Sequence, residues 1–271
     1  MEKKERVPWM ECLKTQGKQD SVLRQRLIAN SFVTALWELT EADSTNRVAK
    51  ELAENGAAEG TLVVADRQSM GKGRLGRSFF SPEGGIYMSL VLRPKLSAER
   101  AVLITTGAAV AVARAIERVS KLTAGIKWVN DIFVDGKKVC GILAEAGLDP
   151  EREAPSYVVL GVGINVKRQY VPEELKEIVG CLEDAGQTLL KEDLIAAVWE
   201  EFAVLYENLS TAVYMEEYKE RSVLINKEVV VYGQTGEYTA IVTDIDKEGH
   251  LVIDREGKRE ELSFGEVSIR M

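Results

Sequence analysis

Short apolar runs, separated by polar turns that contain glycine, fill the middle of the chain. Residues 61–66 (TLVVAD), 86–92 (IYMSLVL) and 157–166 (YVVLGVGINV) have the composition of buried strands, because Val, Ile, Leu and Tyr fit a pleated surface. Two further β-rich runs meet at residues 135–136 (DG), a dipeptide typical of a two-residue hairpin turn. Residues 98–121 instead carry apolar side chains at helical spacing and predict a long amphipathic helix.

Four further helices are predicted before the C-terminal region. They lie at 21–30 and 46–55, each preceded by residues able to cap a helix, and at 172–180 and 191–209. From about residue 224, short alternating strands separated by glycine turns replace the helical spacing. They predict a small β-barrel-like unit of roughly fifty residues, a size at which a core is only marginally sufficient by itself. Its predicted strands are residues 228–232, 238–242, 250–254 and 261–264.

Composition and charge exclude several classes of protein. The 271 residues carry a formal net charge of −8 and a pI near 5.1, which argues against nonspecific nucleic-acid binding, since phosphate neutralisation needs clustered Lys and Arg. The single histidine, His250, has no Ser or Cys candidate near it, and this removes histidine-based triads and metal clusters. The three cysteines, Cys12, Cys140 and Cys181, are far apart and are interpreted as reduced thiols.

The N-terminal sequence has the features of neither an exported protein nor a DNA-binding domain. The first six residues (MEKKER) lack the apolar core of a signal peptide, and no run approaches the roughly 18 apolar residues of a membrane span. We therefore expect a cytoplasmic protein without a membrane partner. Residues 1–36 are polar and too short for a DNA-reading winged helix with its supporting core, so no DNA partner is expected.

The glycine–arginine loop, residues 71–77 (GKGRLGR), is the most informative motif. Its glycines let the backbone approach a ligand closely, and its cations supply charge for a phosphate or a carboxylate. The letters satisfy the dinucleotide-binding pattern and nearly satisfy the P-loop, but both need a helix that starts inside the motif. A second strand, 86–92, follows instead, so we predict an anion-binding loop between strands. A basic surface turn is the alternative.

Four polar segments at predicted strand ends carry a family resemblance. They are DSTN (43–46), QSMGKGRLGR (68–77), KWVND with KKVCGIL (127–131 and 137–143) and GVGINV (161–166). In this order, and followed by a small β-domain, they closely resemble biotin protein ligase, the enzyme family that activates biotin with ATP and attaches it to a lysine of a carrier protein. The resemblance covers about residues 38 to 271.

The resemblance implies an α+β fold in three parts. The main domain, residues 37–222, would hold biotin and ATP on a mixed β-sheet with flanking helices, like the class II synthetases. Residues 223–271 would form an SH3-like C-terminal β-domain. Residues 1–36 would be a short extension in place of the N-terminal DNA-binding domain of the repressor-type ligases. The expected partner is a biotin carboxyl carrier protein, and a homodimer, as in many relatives, is a further expectation.

The resemblance assigns the biotin site to small, polar and cationic residues. Ser44, Thr45 and Gln68 match positions at the head group, whose ureido oxygen and nitrogens need short polar partners. From its position alone, Ser44 is equally a candidate helix N-cap. The implied biotin-binding residues are Ser44, Thr45, Asn46, Gln68, Gly71, Lys72, Arg74, Lys138, Gly141 and Gly163.

The resemblance also assigns the chemistry. Lys138 matches the lysine that bridges the biotin carboxylate and the α-phosphate, where a fixed cation cancels the repulsion of two anions. Asp131 matches the carboxylate that receives the acceptor lysine. Lys127 would neighbour the phosphates and, with Lys138, Asp131 and Arg74, completes the implied catalytic set. The implied nucleotide-binding residues are Arg74, Arg77, Phe79, Asn130, Lys138 and Asn165, and Mg²⁺ is expected to accompany ATP.

Three positions depart from the family pattern, and two other functions stay open. Lys72 replaces an arginine, Val129 stands where proline is usual, and Phe79 replaces the tryptophan of many relatives. A lipoate ligase or a related acyl transferase would also need one lysine and a glycine-rich loop, although the polar residues at the head group favour a ureido ring. A noncatalytic biotin-sensing protein is the alternative from a different class.

Overall fold

The computed structural model describes residues 21–27, 32–147, 155–167, 171–186, 188–233, 236–263 and 266–269. The predictions for the N-terminal segment before residue 21, including Cys12, lie outside the described residues, as does the end of the helix predicted at 21–30. Cys140 and Cys181 are buried, free thiols, as predicted.

A seven-stranded mixed sheet forms the centre of the molecule. Its strands are β1 (Ala35–Ala42), β2 (Thr61–Gln68), β3 (Ile86–Leu92), β4 (Gly125–Lys127), β5 (Asp131–Val134), β6 (Lys137–Gly147) and β7 (Tyr157–Ile164). Their order in space is β1-β2-β3-β7-β6-β5-β4, and within this sheet only β1 and β2 run parallel. Every residue of β3 is buried, as expected for a strand covered on both faces.

Helices cover this sheet on both faces. Met88 and Leu90 of β3 belong to the larger hydrophobic core, whereas Val91 belongs to a second core. Because neighbouring residues of a strand point to opposite faces, the two cores lie on opposite sides of the sheet. The described helices are α1 (Val22–Leu27), α2 (Thr45–Glu54), α3 (Val102–Ser120), α4 (Lys191–Glu207) and α5 (Met215–Glu220); α3 and α4 contribute to the larger core and α2 to the second.

A five-stranded antiparallel sheet follows at the C-terminus and contacts helix α5 and the segment before β5. The Trp128 indole N–H donates to the Gly249 carbonyl at 2.9 Å, and Lys219 pairs with Asp244 at 2.5 Å. These contacts place the sheet beside the segment that enters β5. Its strands are β8 (Glu228–Gly233), β9 (Gly236–Ile245), β10 (Leu251–Arg255), β11 (Lys258–Leu262) and β12 (Glu266–Ile269), in the order β11-β10-β9-β8-β12.

The predicted hairpin is confirmed and one predicted helix is wrong. Asp135 and Gly136 have φ values of 49° and 75°, and positive φ at both positions is what a type I′ turn between β5 and β6 requires. At 172–180 the structure has only a 3₁₀ turn, Glu173–Leu175. The rest of the segment pairs with β6 instead: Lys138 N–H donates to the carbonyl of residue 178, and the N–H of residue 180 donates to Lys138 O, each at 2.9 Å.

The sequence pattern does not predict β1, α5 or β12. β1 lies at an edge of the main sheet, and its exposure does not alternate between successive residues, so it lacks the period of a half-buried strand. The α+β fold is nevertheless confirmed. None of the described helices is long and apolar enough to cross a membrane.

Candidate functional site

Two glycines of β7 make room for side chains from other parts of the chain. A Cβ atom at Gly161 would overlap the side-chain amide of Asn46, and a Cβ atom at Gly163 would lie 2.6 Å from the Phe79 ring. Gly141, the partner of Gly163 on β6, would bring a Cβ atom to 3.0 Å from the same ring. The glycines therefore let Asn46 and Phe79 lie directly on the sheet, where both line a cavity.

This first cavity has a volume of about 150 Å³ and brings most of the predicted residues together. Gly71 is not in its lining. A Cβ atom at this position would lie 2.4 Å from both Phe79 O and Ser81 Oγ, so Gly71 packs against these protein atoms. Asn165 lines a second cavity. The predicted residues that do line the first cavity are Ser44, Thr45, Asn46, Gln68, Lys72, Arg74, Arg77, Phe79, Lys127, Asn130, Asp131, Lys138, Gly141 and Gly163.

Thr45, Asn46 and Gln68 line one wall of the first cavity, and hydrogen bonds connect them to further polar side chains outside its lining. Gln68 Oε1 accepts hydrogen bonds from the Thr45 N–H at 2.7 Å and from the Thr45 hydroxyl at 3.1 Å, while Gln68 Nε2 donates to Ser81 Oγ at 3.0 Å. Ser89 Oγ lies 2.8 Å from Thr45 Oγ1 and 2.6 Å from Asn46 Oδ1. We call Thr45, Asn46, Gln68, Ser81, Ser89 and Glu145 the buried polar network.

Asn46 spans three strands of the sheet. The register places Ser89, Gly161 and Leu143 side by side on β3, β7 and β6. From its place over Gly161, the Asn46 Oδ1 atom reaches Ser89, while Nδ2 donates to Glu145 Oε2 at 2.7 Å and to the Leu143 carbonyl at 3.4 Å. The protein thus satisfies both ends of this amide, which fixes its orientation.

Ser44 does not act as the helix cap that its position suggests. It occupies the N-cap position of α2, but its side chain makes no capping hydrogen bond. Its own N–H donates to Asp43 Oδ1 at 2.6 Å. Ser44 is buried and lines the first cavity, so the capping role is not observed.

The glycine–arginine loop forms a largely exposed turn between β2 and β3. Gly73 N–H donates to Arg77 O at 2.7 Å and closes the turn. Leu75 adopts a left-handed conformation with a φ of 54°, and 73% of its surface is exposed. The only helical element in the loop is a 3₁₀ turn at Arg74–Gly76, so the prediction of a loop that joins strands without an α-helix is confirmed.

Arg74 connects this loop to the segment that enters β5. Its Nη1 atom donates to Asn130 Oδ1 at 3.2 Å, while Asn130 Nδ2 donates to the Ile142 carbonyl at 2.8 Å. The Asn130 amide is therefore held from both sides. Tyr218 supports the same segment by donating its hydroxyl to Val129 O at 3.0 Å, and burial raises the pKa of this hydroxyl well above its usual value.

Lys138 and Asp131 form an ion pair across β5 and β6. The distance from Lys138 Nζ to Asp131 Oδ1 is 2.7 Å, and both side chains are partly exposed to the cavity. Cys140 lies near this pair, but its burial, with a smaller effect of Asp131, raises the pKa of its thiol far above the usual range. The thiol therefore stays protonated, and the ion pair is the chemically relevant feature here.

The second cavity adjoins the first and has a volume of about 650 Å³. Asn165 lines it and donates from Nδ2 to the Gly180 carbonyl at 3.2 Å. Cys181 lines it too; burial, together with a hydrogen bond to Asp184, raises the pKa of the Cys181 thiol to about 11, so this thiol is not a nucleophile at neutral pH. Four residues line both cavities, namely Arg77, Ser78, Phe79 and Lys138.

Sequence reasoning missed three members of the buried polar network. Ser89 lies inside the apolar run of β3 and is 0% exposed, and Ser81 and Glu145 lie outside the four polar segments. The available signal was the single serine in a strand otherwise made of large apolar residues, since a buried hydroxyl needs hydrogen-bond partners.

Comparison with known proteins agrees with this arrangement. The Biotin/lipoate A/B protein ligase family matches residues 38–165, and the Biotin protein ligase C terminal domain matches residues 224–270. The chain thus combines the two domains of a biotin-type ligase. The biotin–[acetyl-CoA-carboxylase] ligase of Mycobacterium tuberculosis is 31% identical over 264 residues, which cover 90% of this chain and 93% of that protein. The chain belongs to the biotin protein ligase family.

Two further relatives are similar over different shares of their length. The bifunctional ligase/repressor BirA of Bacillus subtilis is 42% identical over 173 residues, which cover 63% of this chain and 50% of that protein. The chain therefore matches about half the length of this relative. The biotin protein ligase from Aquifex aeolicus in complex with biotin and ATP has a TM-score of 0.73 and 29% identity, covering 88% of this chain and 99% of that one.

Proposed function

We propose that this chain activates biotin with ATP to biotinyl-5′-AMP and then transfers biotin to a specific lysine of a biotin carboxyl carrier protein. Its family membership and its two matched domains support this activity. The observation that carries the proposal is the position of Lys138, which lines both cavities.

Lys138 is suited to the first step because that step brings two anions together. The biotin carboxylate attacks the α-phosphate of ATP, the carboxylate oxygen forms a bond to phosphorus, and pyrophosphate leaves. A fixed cation between the two cavities offsets the repulsion of the anions and stabilises the charge of the transition state. In the structure Lys138 is paired with Asp131, so the ammonium group is already held at this boundary.

Biotin fits the first cavity by the chemistry of its polar wall. Thr45, Gln68 and Asn46 offer short hydroxyl and amide groups, which suit the oxygen and nitrogens of a cyclic urea. The dithiolane ring of lipoate has no N–H or carbonyl group, so it would gain no conventional hydrogen bond from this wall. This wall therefore favours biotin over lipoate.

ATP is assigned to the second cavity, as its magnesium complex. Arg77 and Lys138 lie at the boundary between the cavities, where the α-phosphate would meet the biotin carboxylate. Phe79 offers an aromatic face to the nucleotide and Asn165 a neutral amide. Mg²⁺ enters with the triphosphate and offsets charge that the protein cations alone would leave repulsive.

Transfer to the carrier is assigned to Asp131. The acceptor amine must lose a proton to attack the mixed anhydride, and a carboxylate beside Lys138 can orient that amine and accept its proton. The amine nitrogen then forms the amide bond, and AMP leaves. The glycine–arginine loop would order over the adenylate and keep water out until the carrier binds.

The decisive experiment is exchange of labelled pyrophosphate into ATP in the presence of biotin or lipoate. Biotin should support exchange and lipoate should not. Exchange with lipoate alone would favour a lipoate ligase, and biotin binding without exchange would favour a noncatalytic sensor.

Three further proposals rest on the sequence. The net charge of −8 supports an absence of DNA binding, to be tested on duplex DNA at physiological salt with biotin and ATP present. We also propose a cytoplasmic location and a homodimer, the latter to be tested by sedimentation with and without biotin and ATP.

A further inference from the structure

The buried polar network does more than present polar groups, because its hydrogen bonds have a direction. A carboxylate accepts hydrogen bonds and does not donate them, and a backbone carbonyl behaves likewise. Glu145 and the Leu143 carbonyl therefore require the Nδ2 end of Asn46, at 2.7 Å and 3.4 Å. The Oδ1 end of Asn46 must then face Ser89.

The orientation of the Asn46 amide determines where the Ser89 hydroxyl proton points. Ser89 has one hydroxyl proton, and Asn46 Oδ1, 2.6 Å away, can only accept it. Because Ser89 has a single proton and Asn46 takes it, Ser89 cannot also donate to Thr45 Oγ1, 2.8 Å away. Ser89 is 0% exposed, so no solvent competes for its proton.

Thr45 is therefore surrounded by acceptors. Its own proton goes to Gln68 Oε1, 3.1 Å away, while Ser89 presents only its oxygen. Gln68 cannot turn its amide without losing the bond to the Thr45 N–H at 2.7 Å. With its proton engaged by the protein, Thr45 offers the cavity a lone pair.

We propose that Glu145 and Ser89 are positioning residues that fix Thr45 as a hydrogen-bond acceptor, so that the site selects a head group presenting an N–H at this point. The inference rests on the proposed function, in which the ligand is the cyclic urea of biotin. Glu145 acts here through Asn46 and Ser89. Gly161 is also required for this arrangement, because a Cβ atom at this position would displace the Asn46 side chain.

The test compares biotin with its two cyclic carbamate analogues, in each of which one ring N–H of the urea is replaced by oxygen. All three ligands are titrated calorimetrically into the wild-type chain and into Glu145→Gln and Ser89→Ala. Glutamine keeps the size of glutamate but can donate as well as accept, so Asn46 is no longer forced into one orientation. Glu54→Gln is the matched control, because Glu54 lies on α2 beside the same sheet and accepts a hydrogen bond from Tyr157 Oη at 3.0 Å.

The wild-type chain should prefer biotin over one carbamate isomer by about 10- to 100-fold, since a lone pair facing a lone pair leaves two buried groups unsatisfied. Glu145→Gln should reduce this preference to about threefold or less, because Asn46 can then turn and free the Ser89 proton for Thr45. Ser89→Ala has no proton to give to Thr45 and should keep the preference, as should Glu54→Gln. The preference ratio is the informative quantity, because a merely structural defect would weaken both ligands equally.

Equal weakening of biotin and both carbamates in Glu145→Gln would overturn the inference while leaving the proposed function intact. A wild-type chain that binds no biotin would overturn the proposed function and the inference with it. Thermal unfolding of each variant shows whether it folds, and if Ser89→Ala does not, Glu145→Gln alone decides.

Discussion

The buried polar network and the glycine–arginine loop face the same cavity but are built in opposite ways. In the network, Thr45, Asn46 and Ser89 are almost fully buried, and their hydrogen bonds are made within the protein. In the loop, Leu75 and Arg77 are exposed, and backbone hydrogen bonds close the turn, from Gly73 N–H to Arg77 O and from Phe79 N–H to Gly71 O.

This difference corresponds to two tasks. A head group without charge is recognised by fixed donors and acceptors, and these must be buried and complete before the ligand arrives. Phosphates are held by charge, which acts over longer distances and tolerates an exposed loop that orders around them. We infer that the network determines which molecule binds, and that the cations determine how fast it reacts.

The largest expected effect is the loss of pyrophosphate exchange when the charge of Lys138 is removed. Lys138→Met keeps most of the stem and removes the charge shared by the two cavities, so biotin-dependent pyrophosphate exchange should fall by about a hundredfold to a thousandfold. The adjacent Lys137→Met is the comparison: Lys137 Nζ donates to the Lys176 carbonyl at 3.0 Å, and Lys137 lines the second cavity but not the first, so exchange at saturating ATP should be retained. Loss of exchange in Lys137→Met instead would place the catalytic cation one residue away.

Gly161 and Gly163 of β7 make room for Asn46 and Phe79, so substitutions of these two glycines test the comparison within one strand. Gly161→Ala should displace Asn46 and weaken biotin binding by about 10- to 100-fold, because the network loses its central amide. Gly163→Ala should displace Phe79 and raise the KM for ATP more than the Kd for biotin. Calorimetry with biotin and exchange kinetics with ATP measure both. The same loss of biotin affinity in the two variants would mean that the two positions are not separate.

The amount of structure predicted from the sequence also differs between the two regions. The conformation of the loop is predictable, because its glycines and the strand that follows are visible locally, and the structure confirms a turn between strands without an α-helix. Its role as an anion site stays a prediction. The network was predicted only in part, since Ser89 and Glu145 meet Asn46 through strand register, which no local pattern contains. The prediction of a helix at 172–180 is wrong for the same reason, because backbone hydrogen bonds to Lys138 on β6 determine the conformation of the end of this segment.

Asp131→Asn tests the junction of the two regions and should have a smaller effect. The acceptor amine enters only in the second step, so transfer to the carrier should slow by about tenfold or more while adenylate formation changes little. Single-turnover kinetics separate the steps. An equal loss in both would assign Asp131 to holding Lys138 through their ion pair at 2.7 Å.

Arg74→Gly should have the smallest effect on the carrier reaction. Arg74 reaches from the loop to Asn130 at 3.2 Å, so its loss should loosen the closed loop and let biotinyl-adenylate escape. Carrier biotinylation should change by only a few-fold, as the hydrogen bond from Arg74 to Asn130 is worth about 1 kcal/mol. Biotin incorporation into an unrelated bystander protein should rise. A variant that leaves bystanders unmodified would contradict the role of the loop.

The most direct test of the division between recognition and chemistry pairs Thr45→Val with Lys138→Met. Valine keeps the shape of threonine and removes the hydroxyl from the network. Biotin affinity by calorimetry and pyrophosphate exchange at saturating biotin are measured for both variants. Thr45→Val should lose about tenfold or more in affinity and keep near-normal exchange, while Lys138→Met should keep most of its affinity and lose exchange. Proportional loss of both quantities in both variants would contradict the account.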